Sequence, residues 1–388
     1  MIKMRNYYYP IVISMLLTLF GCTTLSGVGS DNAPTPSPLV KFSPEKKLNT
    51  IWKARVGSGA NKTHVRFETA VHNGAIYTVD EKGAVSAINA ANGKTIWTAN
   101  IKSCPSSGPD TQSGYLIFGT KNGEVIALNS HNGHLVWRSI ISSQLLAPPR
   151  IANQLVLVKA VDGKLTALDI TTGKPLWDFT HRTPLVMLQR DSAPVVARGV
   201  VFAGFGDGQF FALSLQTGKV LWQQTIALPR SLGDLDSLVG INADPLINNS
   251  VVFVAAYQGK LAALSTSTGQ IIWQRDLSTY HNFALQGNLI VVTDDQGIVW
   301  AINRVNGQVQ WLQKALLNRS LTAPLIEKQE IWIGDSEGNL HILSTKDGHF
   351  IARCLIDSSG LFVQPVFDKN GVIVRSAGGE LAKTCLTT

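Results

Sequence analysis

The residues able to do chemistry are few and scattered. His131 and His134 share one turn, in His131-Asn132-Gly133-His134, and could offer two imidazoles to a metal; the same pattern describes two solvated turn side chains. Asp294-Asp295 precedes Gly297 in another turn, but calcium takes roughly six to eight oxygens, more than the neighbouring residues supply. Cys104, Cys354 and Cys385 match no zinc spacing. Once Cys22 is set aside they are odd in number, which leaves a Cys354–Cys385 bridge open in an oxidising compartment. No H-E-x-x-H, P-loop, nucleophile elbow or dinucleotide fingerprint occurs. These residues predict neither a catalytic set nor a bound cofactor or metal.

What repeats is structural. A phrase of Gly, a strand, a turn with a second Gly, then Trp recurs at Gly83/Gly93/Trp97, Gly123/Gly133/Trp137, Gly163/Gly173/Trp177, Gly208/Gly218/Trp222, Gly259/Gly269/Trp273 and Gly297/Gly307/Trp311. A seventh copy, Gly338/Gly348, has Ala352 in place of Trp. Spacing inside the phrase is fixed, while successive first glycines lie 38 to 51 residues apart, as in a structural repeat whose length varies in one kind of loop. Asn122-Gly123 and Asn132-Gly133 are turn dipeptides flanking an aliphatic strand. Proline phrases such as Ala193-Pro194 and Asp244-Pro245 suit the start of a strand, where no ladder donor is needed. Each repeat therefore reads as four antiparallel strands, one blade of an all-β propeller. Ala87, Ala127, Ala167, Ala212, Ala263 and Ala301 mark tight sites between blades, and the recurring tryptophans read as packing, not as ligands.

An eighth first glycine, Gly379, lies too near the C-terminus for its Trp, whereas Trp52 stands near the N-terminus without a preceding phrase. Pairing the strand around Trp52 with the last blade makes an eight-bladed β-propeller and removes its open edges; seven blades is the alternative count.

Residues 1–21 lie outside that fold. Lys3 and Arg5 precede a short apolar stretch ending in Leu19-Phe20-Gly21-Cys22, which reads as a signal peptide and lipidation site at Cys22. Residues 22–48 are rich in Ser, Thr, Gly and Pro and read as a flexible tether of about 25–30 Å, with the propeller spanning 49–388. The net charge of +8 is dispersed, with no Lys/Arg run, which argues against nucleic acid as a partner.

Loop length points to a binding rim. From Trp to the next first glycine takes 26 residues after Trp97 and Trp137, but 31 after Trp177 and 37 after Trp222. Two neighbouring long connections on a rigid scaffold are where binding resides. Leu185, Val186, Met187 and Leu188 make the first one apolar, with Gln189, Arg190 and Asp191 beside them; Leu228 to Val239 is mixed and acidic, with Asp234 and Asp236, and leads to Asn242 and Asp244. Apolar anchors beside Arg and Asp suit a protein partner.

The Trp repeat resembles that of the quinoprotein dehydrogenases, which bind pyrroloquinoline quinone and calcium, but this chain lacks their adjacent cysteine pair. Lipobox, polar tether and a minimal propeller more closely resemble the BamB family of lipoproteins. Leu188-Gln189-Arg190-Asp191-Ser192-Ala193-Pro194 is similar to that family's Leu-Arg-Gly-x-Ser-Ala/Ser-Pro phrase, with Gln189-Arg190-Asp191 replacing its Arg-Gly-acidic order, so that the arginine is displaced by one position. Gly240-Ile241-Asn242-Ala243-Asp244-Pro245 is similar to its second phrase, retaining Asp244 of an acidic pair. The resemblance implies a non-enzymatic scaffold anchored in the outer membrane, facing the periplasm. Its implied partners are the POTRA-type domains of the barrel-inserting subunit BamA and unfolded outer-membrane proteins. Another periplasmic binding role, for a peptide, glycan or envelope protein, is the alternative outside that resemblance.

Overall fold

The computed structural model describes residues 34–59, 67–184, 188, 190–229 and 238–387. Its strands form eight four-stranded antiparallel sheets. Seven are continuous in sequence, from the blade Ala70–Asn100 to the blade Leu325–Leu355. In the eighth, the N-terminal strand Lys47–Arg55 pairs outside the C-terminal strand Glu380–Thr387, with Trp52 opposite Lys383. The expected ring closure is present.

Alternation explains how each sheet is buried. The second and third strands of every blade are almost wholly buried, and the outer strands, the seventh blade's apart, leave much of their outward side exposed to solvent. The six repeat alanines are fully buried, and each lies opposite its blade's tryptophan. That tryptophan reaches into the next blade. Trp137, for example, donates its indole N–H to the Ile170 carbonyl at 2.8 Å and lays its ring over Gly173. A Cβ on Gly173 would sit 2.5 Å from the ring, and its φ is +69°, so steric and backbone demands both select glycine there. The same pair of contacts recurs from Trp52 to Ala90 and Gly93 and onward to Trp311 with Thr345 and Gly348.

The seventh blade breaks this pattern for a geometric reason. Its neighbour takes its fourth strand, Lys47–Arg55, from the other end of the chain, so no third-to-fourth-strand turn, and no turn glycine, lies there for a tryptophan to cover. The large and small partners are reversed: Ile342 faces Ala352. Charged contacts hold the closing blade instead. The Arg375 guanidinium donates to the carbonyls of Phe67 and Val79, while Lys383 pairs with Asp368 and donates to Ala90. Burial lowers Arg375 to about 10, against the opposing pull of Asp80, and leaves it charged at neutral pH.

A buried network also sets the seventh blade apart. Asp335 accepts from the Arg319 Nε at 2.8 Å and meets His341 Nε2 at 2.9 Å, while Arg353 Nε donates to His341 Nδ1. Since Nδ1 accepts, the ring hydrogen lies on Nε2 and His341 is neutral; burial lowers its pKa in spite of Asp335. For Asp335, burial alone would raise the pKa, but the His341 and Arg319 contacts outweigh it and hold the carboxyl at about 2. Its contribution to stability is present above about pH 4 and lost as pH falls toward 2, amounting to roughly 2 kcal/mol. Urea unfolding at pH 6, 4 and 2 should show Asp335→Asn lacking that part of the acid loss; an identical acid slope would contradict the assignment.

Candidate functional site

In an up-and-down blade, connections between blades and the turns between second and third strands share one face. Both long connections lie there, before the inner strands Val195–Ala197 and Leu246–Asn248. Leu185, Val186, Met187, Gln189, Asp234 and Asp236 lie outside the described residues, as does Cys22. The remaining expected site residues are brought together. Asn242 Nδ2 donates to the Arg190 carbonyl at 2.5 Å, and the Asp244 carboxylate accepts from the Ala193 amide at 2.7 Å.

Those contacts separate outward from inward roles. Leu188 and Arg190 are half-buried. Asp191, Asn242 and Asp244, expected as partner contacts, are buried. Asp191 pairs with Lys159 at 2.8 Å, and Lys159 also donates to Ser192 Oγ and the Gly204 carbonyl. Asp244 pairs with Arg150 at 2.7 Å and exchanges hydrogen bonds with the Asn282 side chain. Desolvated carboxylates need such partners to stay charged, so Asp191 and Asp244 hold the described ends of the connections in place.

Arg190 extends the rim into the next connection. Its guanidinium lies 5.7 Å from the centroid of the Tyr280 ring, within cation–π range. Tyr280 meets Tyr257 edge-on at 5.9 Å. Burial raises the Tyr280 pKa, Arg190 opposing and Asp295 adding to it, so the phenol stays neutral. Arg190, Tyr257 and Tyr280 thus form a preset aromatic–cationic corner. Such residue types commonly anchor protein interfaces.

Sequence reasoning missed Lys159, Arg150, Tyr257, Tyr280 and Asn282. Lys159 had a usable signal: it ends a second strand where six of the other seven blades have Val79, Gly119, Gly204, Ala255, Thr293 and Gly334, and the closing blade has the buried Arg375. A charge at a small or apolar repeat position flags a special contact. Tyr280 carried no comparable signal, since connections between blades have no repeat register.

The other chemical candidates resolve as local structure. Asp294 caps its turn by accepting from the Gln296 and Ile298 amides and from Trp300 Nε1; burial raises its pKa despite these bonds. His131 and His134 are exposed turn residues. Cys354 and Cys385 are free thiols, and burial pushes Cys354 up to about 11, with Lys53 opposing. At the propeller axis, Glu68, Arg190, Asn282 and Phe362 surround a void of about 10 Å³, roughly one water's worth.

A family model described as outer membrane protein assembly factor BamB matches residues 81–313. The outer membrane protein assembly factor BamB of Legionella pneumophila (strain Paris) is 40% identical over 365 residues, covering 93% of this chain and 94% of that protein. This chain belongs to the BamB family. The crystal structure of BamB from Moraxella catarrhalis matches with a TM-score of 0.80 at 25% identity, covering 87% of this chain and all of that one. Quinohemoprotein alcohol dehydrogenase from Comamonas testosteroni shares the fold at a TM-score of 0.70, with 13% identity over 87% of this chain and 76% of its own. That likeness extends to architecture alone. BamB proteins are named for assembly, and this member is not an enzyme.

Proposed function

We propose that this propeller is a lipid-anchored scaffold of the outer-membrane β-barrel assembly machinery, facing the periplasm. Its rim around Leu188 and Arg190 binds the POTRA-type domains of BamA, and Cys22 carries the anchor. Family membership supports the assembly role. The observation that supports the site is the pair of hydrogen bonds by which Asn242 and Asp244 join the described ends of the two long connections, fixing the backbone at Arg190 and Ala193. The rim works by contact and orientation, without turnover, and holds the partner's modules while unfolded barrels are delivered to them.

Leu188→Asp combined with Arg190→Glu should weaken binding of purified POTRA modules by about 30-fold or more, the loss expected for hot-spot residues. Isothermal titration of the soluble domain checks this, with circular dichroism confirming the fold. Unchanged affinity in a folded double variant removes the rim from the interface. Absence of binding by the native domain to folded modules favours the peptide- or glycan-binding alternative.

A further inference from the structure

The turns on the two faces of the ring carry opposite charge. Turns between first and second strands, and between third and fourth strands, share the face away from Arg190. Among the described residues they hold eight Lys or Arg and a single carboxylate, Asp347. Turns between second and third strands, on the Arg190 face, hold two Lys and eight Asp or Glu. The acidic set has a structural reason: Asp80, Asp294 and Asp335 each accept amide hydrogens within their own turn. The basic set has no such reason. Lys94, Lys174 and Lys219 each follow a turn glycine, Arg198, Lys328 and Lys369 each open a first-to-second-strand turn, and all six are exposed. No other described residue pairs with any of these six side chains.

Backbone geometry disfavours three of these charges. The first residue of every first-to-second-strand turn has positive φ. It is 49° to 57° at Asn73, Ser113, Asn153, Asn249 and Gly287, and 50°, 56° and 44° at Arg198, Lys328 and Lys369. Gly and Asn tolerate that region, whereas a long side chain is strained there. Turn formation alone selects Gly or Asn, so Arg198, Lys328 and Lys369 are held against the backbone's preference.

The chain's own N-terminal segment leaves this set uncovered. Residues 35–46 are docked along the seventh blade: Ser37 donates its amide to the Leu317 carbonyl at 3.0 Å and accepts from Arg319 Nη1 at 2.7 Å. Arg353 Nη1 donates to Val40 O at 2.9 Å, and Phe42 stacks on Phe350 at 5.3 Å. The expectation of a tether as far as residue 48 therefore gives way to a bound strap over its last part. Where the strap ends, the Glu45 carboxylate meets His349 at 2.7 Å, and Asp347 meets the same imidazole. Both carboxylates near this face are thus engaged by a histidine, and the six charges stay free of them.

We propose that the face opposite Arg190 is a docking surface for the headgroups of anionic phospholipids. The six charges are spread over the first, third, fourth, seventh and eighth blades, at turn tips that the repeat sets at one level. That spread suits a plane of mobile phosphates better than one shaped ligand. Val305, 61% exposed in a turn of the sixth blade, adds an apolar tip on the same face. Docked this way, the protein keeps the Arg190 rim open to its partner. The proposal rests on the reading that the chain is anchored at the outer membrane, which brings such a surface within reach.

The test places the full lipoprotein in vesicles of phosphatidylethanolamine, alone or mixed with phosphatidylglycerol, that carry an acceptor dye on the headgroups. A donor dye enters through a non-natural residue at Gln154, on the basic face, or at Gln296, on the Arg190 face; both are exposed. Phosphatidylglycerol should raise energy transfer from Gln154 about twofold or more, leave Gln296 behind, and lose its effect at high salt. Arg198→Asn, Lys328→Asn and Lys369→Asn combined should abolish the rise without lowering Tm, since Asn suits the positive φ. No rise at Gln154, an equal rise at Gln296, or a rise that survives in the triple variant overturns the proposal. Salt-sensitive retention on poly-glutamate without any phosphatidylglycerol response also overturns it, and assigns the face to an acidic polypeptide. Protein that fails to float with phosphatidylethanolamine alone overturns the anchor reading instead. The face is then supported if flotation requires phosphatidylglycerol and is lost in the triple variant, and overturned if it does not.

Discussion

A chain shortened to begin at residue 56 is expected to melt on the order of 10 °C below the full domain. The lost strand, Lys47–Arg55, completes the eighth blade, so its removal opens the edge of Glu380–Thr387. It also removes Trp52, whose ring covers Gly93 and whose indole N–H donates to Ala90 O. Deleting a fully buried aromatic side chain costs about 3–5 kcal/mol; the half-buried Trp52 contributes part of that, and a strand's ladder bonds go with it. A scanning calorimetry trace unchanged from the parent would mean that blades close without this strand. Partial recovery on adding a peptide of residues 45–55 would locate the effect in the missing strand.

Lys159→Ala should destabilise the domain by about 3–5 kcal/mol, because it removes the buried ammonium paired with the Asp191 carboxylate. The ammonium and carboxylate lie 2.8 Å apart with side-chain exposures of 1% and 8%. Lys159 also donates to Ser192 Oγ, so the connection leading to Arg190 should loosen. POTRA binding should then weaken although Lys159 itself is not at the rim. Adding Asp191→Ala should recover part of the stability, since the stranded charge disappears, but not the binding. Strict additivity of the two losses in urea unfolding would rule out the pair as the coupling element.

The two experiments bear on different levels of specification. Architecture was written locally and repeatedly: each blade carries its turn glycines, its strand alternation and a tryptophan ten plus four residues along. Repetition made the blade legible, and the unmatched Trp52 and Gly379 made the closure legible by elimination. Even Ala352 could be located as an exception, though its cause, a neighbouring blade with no turn to cover, required the closed ring.

The rim was legible only as loop length. Sequence could place Leu188, Arg190, Asp191, Asn242 and Asp244 on two long connections, but not say which way each side chain turns. That was decided by contacts between segments far apart in the chain. Arg150 reaches Asp244 across 94 residues, and Asn242 reaches the Arg190 carbonyl across 52. Asp191, Asn242 and Asp244 are buried among such partners, so their side chains support the connections from within.

The strap shows the same limit from the other side. Its composition is that of a tether, and nothing local predicts otherwise. It is held by Arg319 and Arg353, roughly 280 and 310 positions away, and by an aromatic pair that exists only once the seventh blade has formed. By itself the sequence determined the repeat, the blade and the closed ring, because period-two burial and turn chemistry act over a few residues. Tertiary structure alone decided which charges face inward, which present the rim and where the chain leaves the domain, because those depend on pairings that no local pattern encodes.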